Sequence, residues 1–382
     1  MVFRRLIVSA LVALPLLTHT VRPQGVVRMY NEACGDYTAD RYTQAEEKLR
    51  LVIKQQKYHP DACFLLGQCH WRQKECAKAI KFYDKALRQT PTNVEFIFHK
   101  GIAYEDIGKS TKAVRCYLRA TPIDCGYSMA WRRLGKIFFA SGGYGKAIGY
   151  LTSAAQANPL DREAFLLRGN AHSALGNLHP AMADYEMALQ LDDHDADAWF
   201  NLAGVEMRIG NAYESMKSYS MAIELRPDDR DALLDRGIVL LALGLRKEAL
   251  ADIDRANSVD TAFAPSHWNR VLVLQEMGEY HSALESATKA ARLSPKDAGN
   301  WGLVGNIHFK EQHHQPAVQA YTRCIRLDPA HAAEALLYRG EAYRVLGDRE
   351  SACKDWKQIL QIQIDRGCIA EMAEAWIGIH CR

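Results

Sequence analysis

The stretch from Met129 to Pro159, MAWRRLGKIFFASGGYGKAIGYLTSAAQANP, decides the fold. Apolar residues recur at helical spacing in two runs separated by Ser141-Gly142-Gly143, so the segment reads as two amphipathic helices joined by a tight turn. Gly135, Ala147 and Ala154 are small where the paired helices must cross closely, and large residues such as Trp131 fill the space at the neighbouring turns. Pro159 ends the segment because proline cannot continue a helix and blocks helix in the residue before it. Moving outward, the alanine at 147 recurs as Ala45, Ala79, Ala113, Ala181, Ser215, Ala249, Ala283 and Ala317, each step being 34 residues, and Ala352 follows after 35. Seven residues later in each unit come Ala86, Ala120, Ala154, Ala188, Ala222, Ala256, Ala290 and Cys324. Twelve residues before the alanine stand Gly67, Gly101, Gly135, Gly169, Ala203, Gly237, Val271 and Gly305. A further glycine at 108, 142, 176, 210, 244, 278 and 347 is placed to end the first helix of its hairpin in a left-handed conformation.

These residues resemble the tetratricopeptide repeat, whose pattern of Trp, Leu-Gly, aromatic, Ala, Ala and Pro is met by Trp131, Leu134-Gly135, Phe138, Ala147, Ala154 and Pro159. The resemblance implies an all-α, right-handed superhelical solenoid. The units fall near 26–59, 60–93, 94–127, 128–161, 162–195, 196–229, 230–263, 264–297, 298–332 and 333–362. Such an array exposes an apolar face at its end, and Cys368 to His380 is read as a capping helix within 363–382, with Ile369, Met372 and Trp376 on its apolar side.

The chain's 382 residues are 48% hydrophobic and 24% charged, with 48 Lys and Arg against 45 Asp and Glu. That balance excludes a disordered chain and a dedicated nucleic-acid binder, which needs a basic face. Ten cysteines are too few for a disulfide-stapled scaffold and form no CxxC pair; they are expected to be small buried apolar residues. Arg4 and Arg5 precede the uncharged run Leu6 to Leu17, which matches a secretory signal in length. Residues 1–24 are therefore read as a signal peptide directing a periplasmic or extracellular protein; an uncleaved membrane anchor through 6–17, or a cytoplasmic protein, are the alternatives.

No cofactor, metal or catalytic constellation is expected. Gly108-Lys109-Ser110 has the wrong upstream glycine spacing for a phosphate loop and reads as a turn. His59-Pro60-Asp61, the tripeptide of J-domain co-chaperones, falls on a unit boundary and is coincidence. His313-His314 lacks a third ligand at helical spacing. The repeats leave no room for a catalytic domain, so the reading is a non-catalytic scaffold that binds protein or peptide segments, with a membrane-associated assembly or secretion factor, or a co-chaperone, as alternatives.

At 100° per residue, positions 4, 7, 8 and 11 of each first helix face its partner, and positions 2, 5, 9 and 12 form a second stripe that should line a concave groove. Phe64, Trp71, Phe98, Phe139, Phe200, Met207, Leu234, Trp268 and Phe309 lie on it, with Trp71 and Trp268 as the expected exposed anchors. The stripe also holds eight acids, Asp197 and Asp231 among them, against three bases. An apolar, acidic groove calls for partner segments with large apolar anchors flanked by Lys or Arg. Asn170 and Asn201 match the two asparagines of the family's two-carboxylate clamp, but its cationic positions read Leu166, Asp231 and Asp235, so acidic chaperone tails are disfavoured.

Overall fold

The computed structural model describes residues 24–362 and 367–381. The apolar run at 6–17, with its secretory or anchoring reading, lies outside the described residues. Among them every regular element is an α-helix, and none is long and apolar enough to cross a membrane. The described residues form two compact units, divided between Ala171 and His172.

In the first unit α1 (Gln24–Thr38) pairs with α2 (Tyr42–Gln55), α3 (Pro60–Arg72) with α4 (Cys76–Gln89), α5 (Val94–Asp106) with α6 (Ser110–Ala120), and α7 (Ser128–Ala140) with α8 (Tyr144–Ala157). Helix α9 (Arg162–Ala174) crosses the division. In the second unit α10 (Leu178–Leu191) precedes the pairs α11 (Ala196–Ile209) and α12 (Ala212–Leu225), α13 (Arg230–Ala242) and α14 (Arg246–Val259), α15 (Ala264–Met277) and α16 (Tyr280–Leu293), α17 (Ala298–Lys310) and α18 (His314–Leu327), and α19 (Ala333–Val345) and α20 (Arg349–Ile362). Helix α21 (Cys368–His380) packs on α20. Inside each unit the second helix of one pair also packs on the first helix of the next, which is the stacking that gives a helical-hairpin solenoid its continuous core.

The small residues do what the periodicity requires. The 34-residue alanines, together with Ser215 and Ala352, are wholly buried. Ser215 is tolerated there because its hydroxyl donates to the Ala203 carbonyl at 2.8 Å, leaving no unpaired polar group in the core. At Gly101 an added Cβ would sit 2.5 Å from the Tyr117 ring, so only glycine lets the two helices of that pair meet. Val271 departs from this rule, and sixteen residues on, where other units carry a large residue, stands Ala287; both are fully buried in one cluster, so volume is exchanged across the crossing. The hairpin turns hold one left-handed residue in fixed phase: the seven glycines are joined there by Asp40, Lys74 and Gln312.

A feature the periodicity did not reveal is an ionic bridge at position 7 of the first helix, a position assigned to apolar packing. Arg236 makes a two-point contact with Asp252 at 2.7 Å, sixteen residues ahead, and reaches Ser220, sixteen behind. Arg339 makes the same two-point contact with Asp355 and reaches Thr322, seventeen behind, Arg270 bonds Asp254 and Ser286, and Lys100 pairs with Asp84 at 2.6 Å. One cation thereby ties a first helix to its own partner or to the preceding hairpin.

Two expectations are corrected. Cys353 and Cys381 form a disulfide joining α20 to the end of α21, and Cys125 and Cys368 are exposed; burial holds for Cys63, Cys69, Cys76 and Cys116. On α21, Met372 is exposed, and the side against α20 is built from Ala373 and Trp376, whose ring meets Trp356 edge-on at 5.3 Å. His59-Pro60-Asp61 has a local role: His59 caps α3 by accepting from the Ala62 amide, and Pro60 occupies the first turn.

Candidate partner-binding surface

The stripe residues divide by what covers them. In the first unit Phe98 is 4% exposed, held between the rings of Tyr117 and Tyr127. Phe64 stacks on Phe96 at 4.4 Å, and Phe139 lies against Tyr144. Trp71 is half-buried, donates to the Asp106 carboxylate at 2.5 Å and carries the Arg72 guanidinium over its ring. Asn170 is half-buried. The surroundings are strongly polarised: burial, reinforced by Arg72 and Arg133, pushes the His99 imidazole down to about 4, so it is neutral at pH 7. Burial and then Asp61 push the Glu95 carboxyl up.

In the second unit Leu234 is buried, Phe200 and Met207 are half-buried around the α13 core, and Phe309 packs between His314 and Tyr338. Asn201 is half-buried. Asp197 and Asp231 are open to solvent but already paired, Asp197 with Arg226 at 2.6 Å and Asp231 with Arg230 at 2.8 Å. Both arginines lie off the stripe, so counting acids along it overstates the charge these two present.

Trp268 is different: it is 38% exposed and walls a cavity of about 380 Å³. The cause is legible in the residues. Position 5 carries Phe64, Phe98, Phe200, Leu234, Trp268 or Leu337 in other units, but in α17 it is Gly302, and position 2 of the same helix is Gly299. A Cβ on Gly302 would meet nothing closer than the Cys324 sulfur at 3.5 Å, so the missing side chain leaves open space. Asn306, at position 9, accepts from the Tyr321 hydroxyl at 2.7 Å along one wall. Asp328, His331 and Glu334 stand at the lining's polar side, and a hydrogen bond from His331 holds the Asp328 carboxyl below its usual range. The cavity can therefore take an elongated side chain against Trp268 with a cationic end toward Glu334. Reading the stripe for large residues located Trp268 but passed over Gly302, because the signal there is an absence.

Family models for the tetratricopeptide repeat match residues 30–94, 132–196 and 166–228, and further ones match 82–115, 298–331 and 334–362. The chain belongs to the tetratricopeptide repeat family. Proteins of this family are generally non-catalytic scaffolds that bind protein or peptide partners. Among curated proteins the chain is similar to the heat-shock protein cognate co-chaperone sgt12 of Aspergillus fumigatus, 36% identical over 20% of this chain and 23% of the relative. It is also similar to human tetratricopeptide repeat protein 6, 28% identical over 34% of this chain and 25% of the relative. The chain thus spans about a quarter of the length of these relatives. Among solved structures, the C-terminal part of a TPR repeat-containing protein from Cytophaga hutchinsonii matches 63% of this chain and 98% of its own with a TM-score of 0.55 at 14% identity. A tetratricopeptide repeat protein from Parabacteroides merdae matches 65% and 97%, with a TM-score of 0.50 at 18% identity. These likenesses concern the fold.

Proposed function

We propose that this tetratricopeptide protein holds partner polypeptide segments against the first-helix stripe, and that in the second unit the anchor enters the cavity beside Trp268. The observation that carries this reading is the stripe glycine Gly302, whose missing side chain leaves a cavity walled by an exposed tryptophan and bordered by Glu334, an acid with no ion pair among the described residues. The occupant is an apolar-stemmed segment with Lys or Arg beside it. Acidic tails meet Asp328 and Glu334 and bind poorly, which separates this protein from a chaperone-tail receptor even though a co-chaperone is among its relatives. The Cys353–Cys381 bond supports a secretory, periplasmic or extracellular location over a cytoplasmic one, since disulfides persist in oxidising compartments.

The test is selection of a displayed random-peptide library on the full chain. Selected peptides are expected to pair a large apolar residue with Lys or Arg and to lose at least about 1 kcal/mol of affinity on Trp268→Ala, the size of a central aromatic anchor. Recovery of acidic peptides, or affinity indifferent to Trp268→Ala at unchanged helicity, contradicts the reading.

A further inference from the structure

Position 11 of a first helix and position 16, the residue just before the second helix, meet across the hairpin turn. Where position 11 is histidine in the other units, position 16 meets its Nδ1: His70 Nδ1 lies 2.7 Å from the Glu75 carboxylate, and His172 Nδ1 lies 3.5 Å from the Asn177 amide. The α17–α18 turn breaks this arrangement. Position 11 is His308, position 16 is His313, and Glu311 stands between them. The two imidazoles face each other edge-on, 6.0 Å apart at their centres, and the Glu311 carboxylate is 3.6 Å from His313 Nδ1. One ligand-capable atom from each of the three side chains lies within 4.8 Å of the others. His308 Nδ1 is buried and makes no hydrogen bond among the described residues. An unsatisfied buried ring nitrogen costs stability unless something else fills it.

We propose that His308, Glu311 and His313 bind a zinc-class divalent cation, with water in the fourth position. Two neutral imidazoles and one carboxylate are the donor set that borderline cations prefer, and Ca²⁺ or Mg²⁺, which take oxygen ligands, are excluded by it. Zinc bonds near 2.0 to 2.1 Å place tetrahedral ligands about 3.3 Å apart, so the group must close slightly around the ion. His313, with 59% of its side chain exposed, is free to make that movement. The adjacent His314 takes no part; its ring lies against Phe309. His313 therefore finds its two further ligands at the end of α17 and in the turn, not on α18. Bound there, the ion would tie the end of α17 to the turn that leads into α18, in the hairpin whose first helix carries Gly302 and Asn306.

The experiment is titration of the full chain with Co²⁺ and Zn²⁺, read by Co²⁺ absorption and calorimetry, with far-ultraviolet dichroism on every variant. One site is expected, with a tetrahedral Co²⁺ spectrum lacking a thiolate charge-transfer band, displaced by Zn²⁺. His308→Gln and His313→Gln each weaken it at least about tenfold while His314→Gln leaves it unchanged. Should His308→Gln unfold, His313→Gln decides alone, since its ring is on the surface. Binding unaffected by His313→Gln, a thiolate band pointing to the cysteines, or no uptake of either ion overturns the proposal.

Discussion

Helices α5 and α17 share one phase of the repeat yet differ at three consecutive positions. Position 5 is Phe98 in one and Gly302 in the other, position 6 is His99 against Leu303, and position 7 is Lys100 against Val304; position 8 is glycine in both. The shared glycine fixes the crossing, with a Tyr117 or Tyr321 ring lying where its Cβ would be. The neighbouring positions are then free to specialise. In α5 they hold aromatic packing, a suppressed imidazole and an ion pair to Asp84; in α17 they open a cavity. The difference teaches that in this array architecture resides in the small residues, and the chemistry of each surface resides beside them.

Exchanging residues between the two helices tests that division. Phe98→Ala, which imports the truncated position 5 of α17 into a site closed by Tyr117 and Tyr127, is expected to cost about 3 to 5 kcal/mol in chemical denaturation. A loss below about 1 kcal/mol would mean that the first unit tolerates a hole as readily as the second.

His99→Leu gives α5 the residue of α17 and removes an acid-sensitive group. The folded imidazole titrates near 4, below its unfolded value of about 6.5, so the folded state binds fewer protons between these pH values. Its stabilising contribution is complete above about 6.5 and is lost as pH falls toward 4. Denaturation midpoints measured from pH 7 to 5 should thus fall more steeply in the wild type than in His99→Leu. Glu95, whose carboxyl is raised, acts in the opposite sense, and only the difference between the two proteins isolates His99.

Lys100→Val should matter least. Its pair with Asp84, which is 40% exposed, contributes no more than about 1 kcal/mol, and Val304 occupies the same position in α17 without a charge. A larger loss by thermal denaturation would mean that the bridge to the preceding hairpin, not the shared packing, secures α5.

The fold was legible because a close helix crossing and a left-handed turn each demand a small residue, and such demands repeat at a readable spacing. Even the three turns without glycine, at Asp40, Lys74 and Gln312, follow the phase of the others. The surface was legible only in part. A stripe drawn at 100° per residue names the face but not what the next helix covers, so Phe98 and Leu234, offered as groove residues, are core. It also cannot see charges arriving from off the stripe, such as Arg226 on Asp197. The bridges sixteen residues apart, the Cys353–Cys381 bond and the gathering of His308 with His313 all depend on how hairpins fold back, which periodicity along one helix does not encode.

The most direct measurement compares binding of a selected Lys- or Arg-containing peptide to the wild type and to Gly302→Leu, with denaturation of both. The substitution places a large position-5 residue, as in the other units, where an added Cβ meets nothing closer than 3.5 Å. Stability should hold, or rise by up to about 1 kcal/mol because glycine is a poor helix former, while affinity falls about tenfold or more. Unchanged affinity in a stably folded Gly302→Leu would contradict the claim that the cavity beside Trp268 receives the partner.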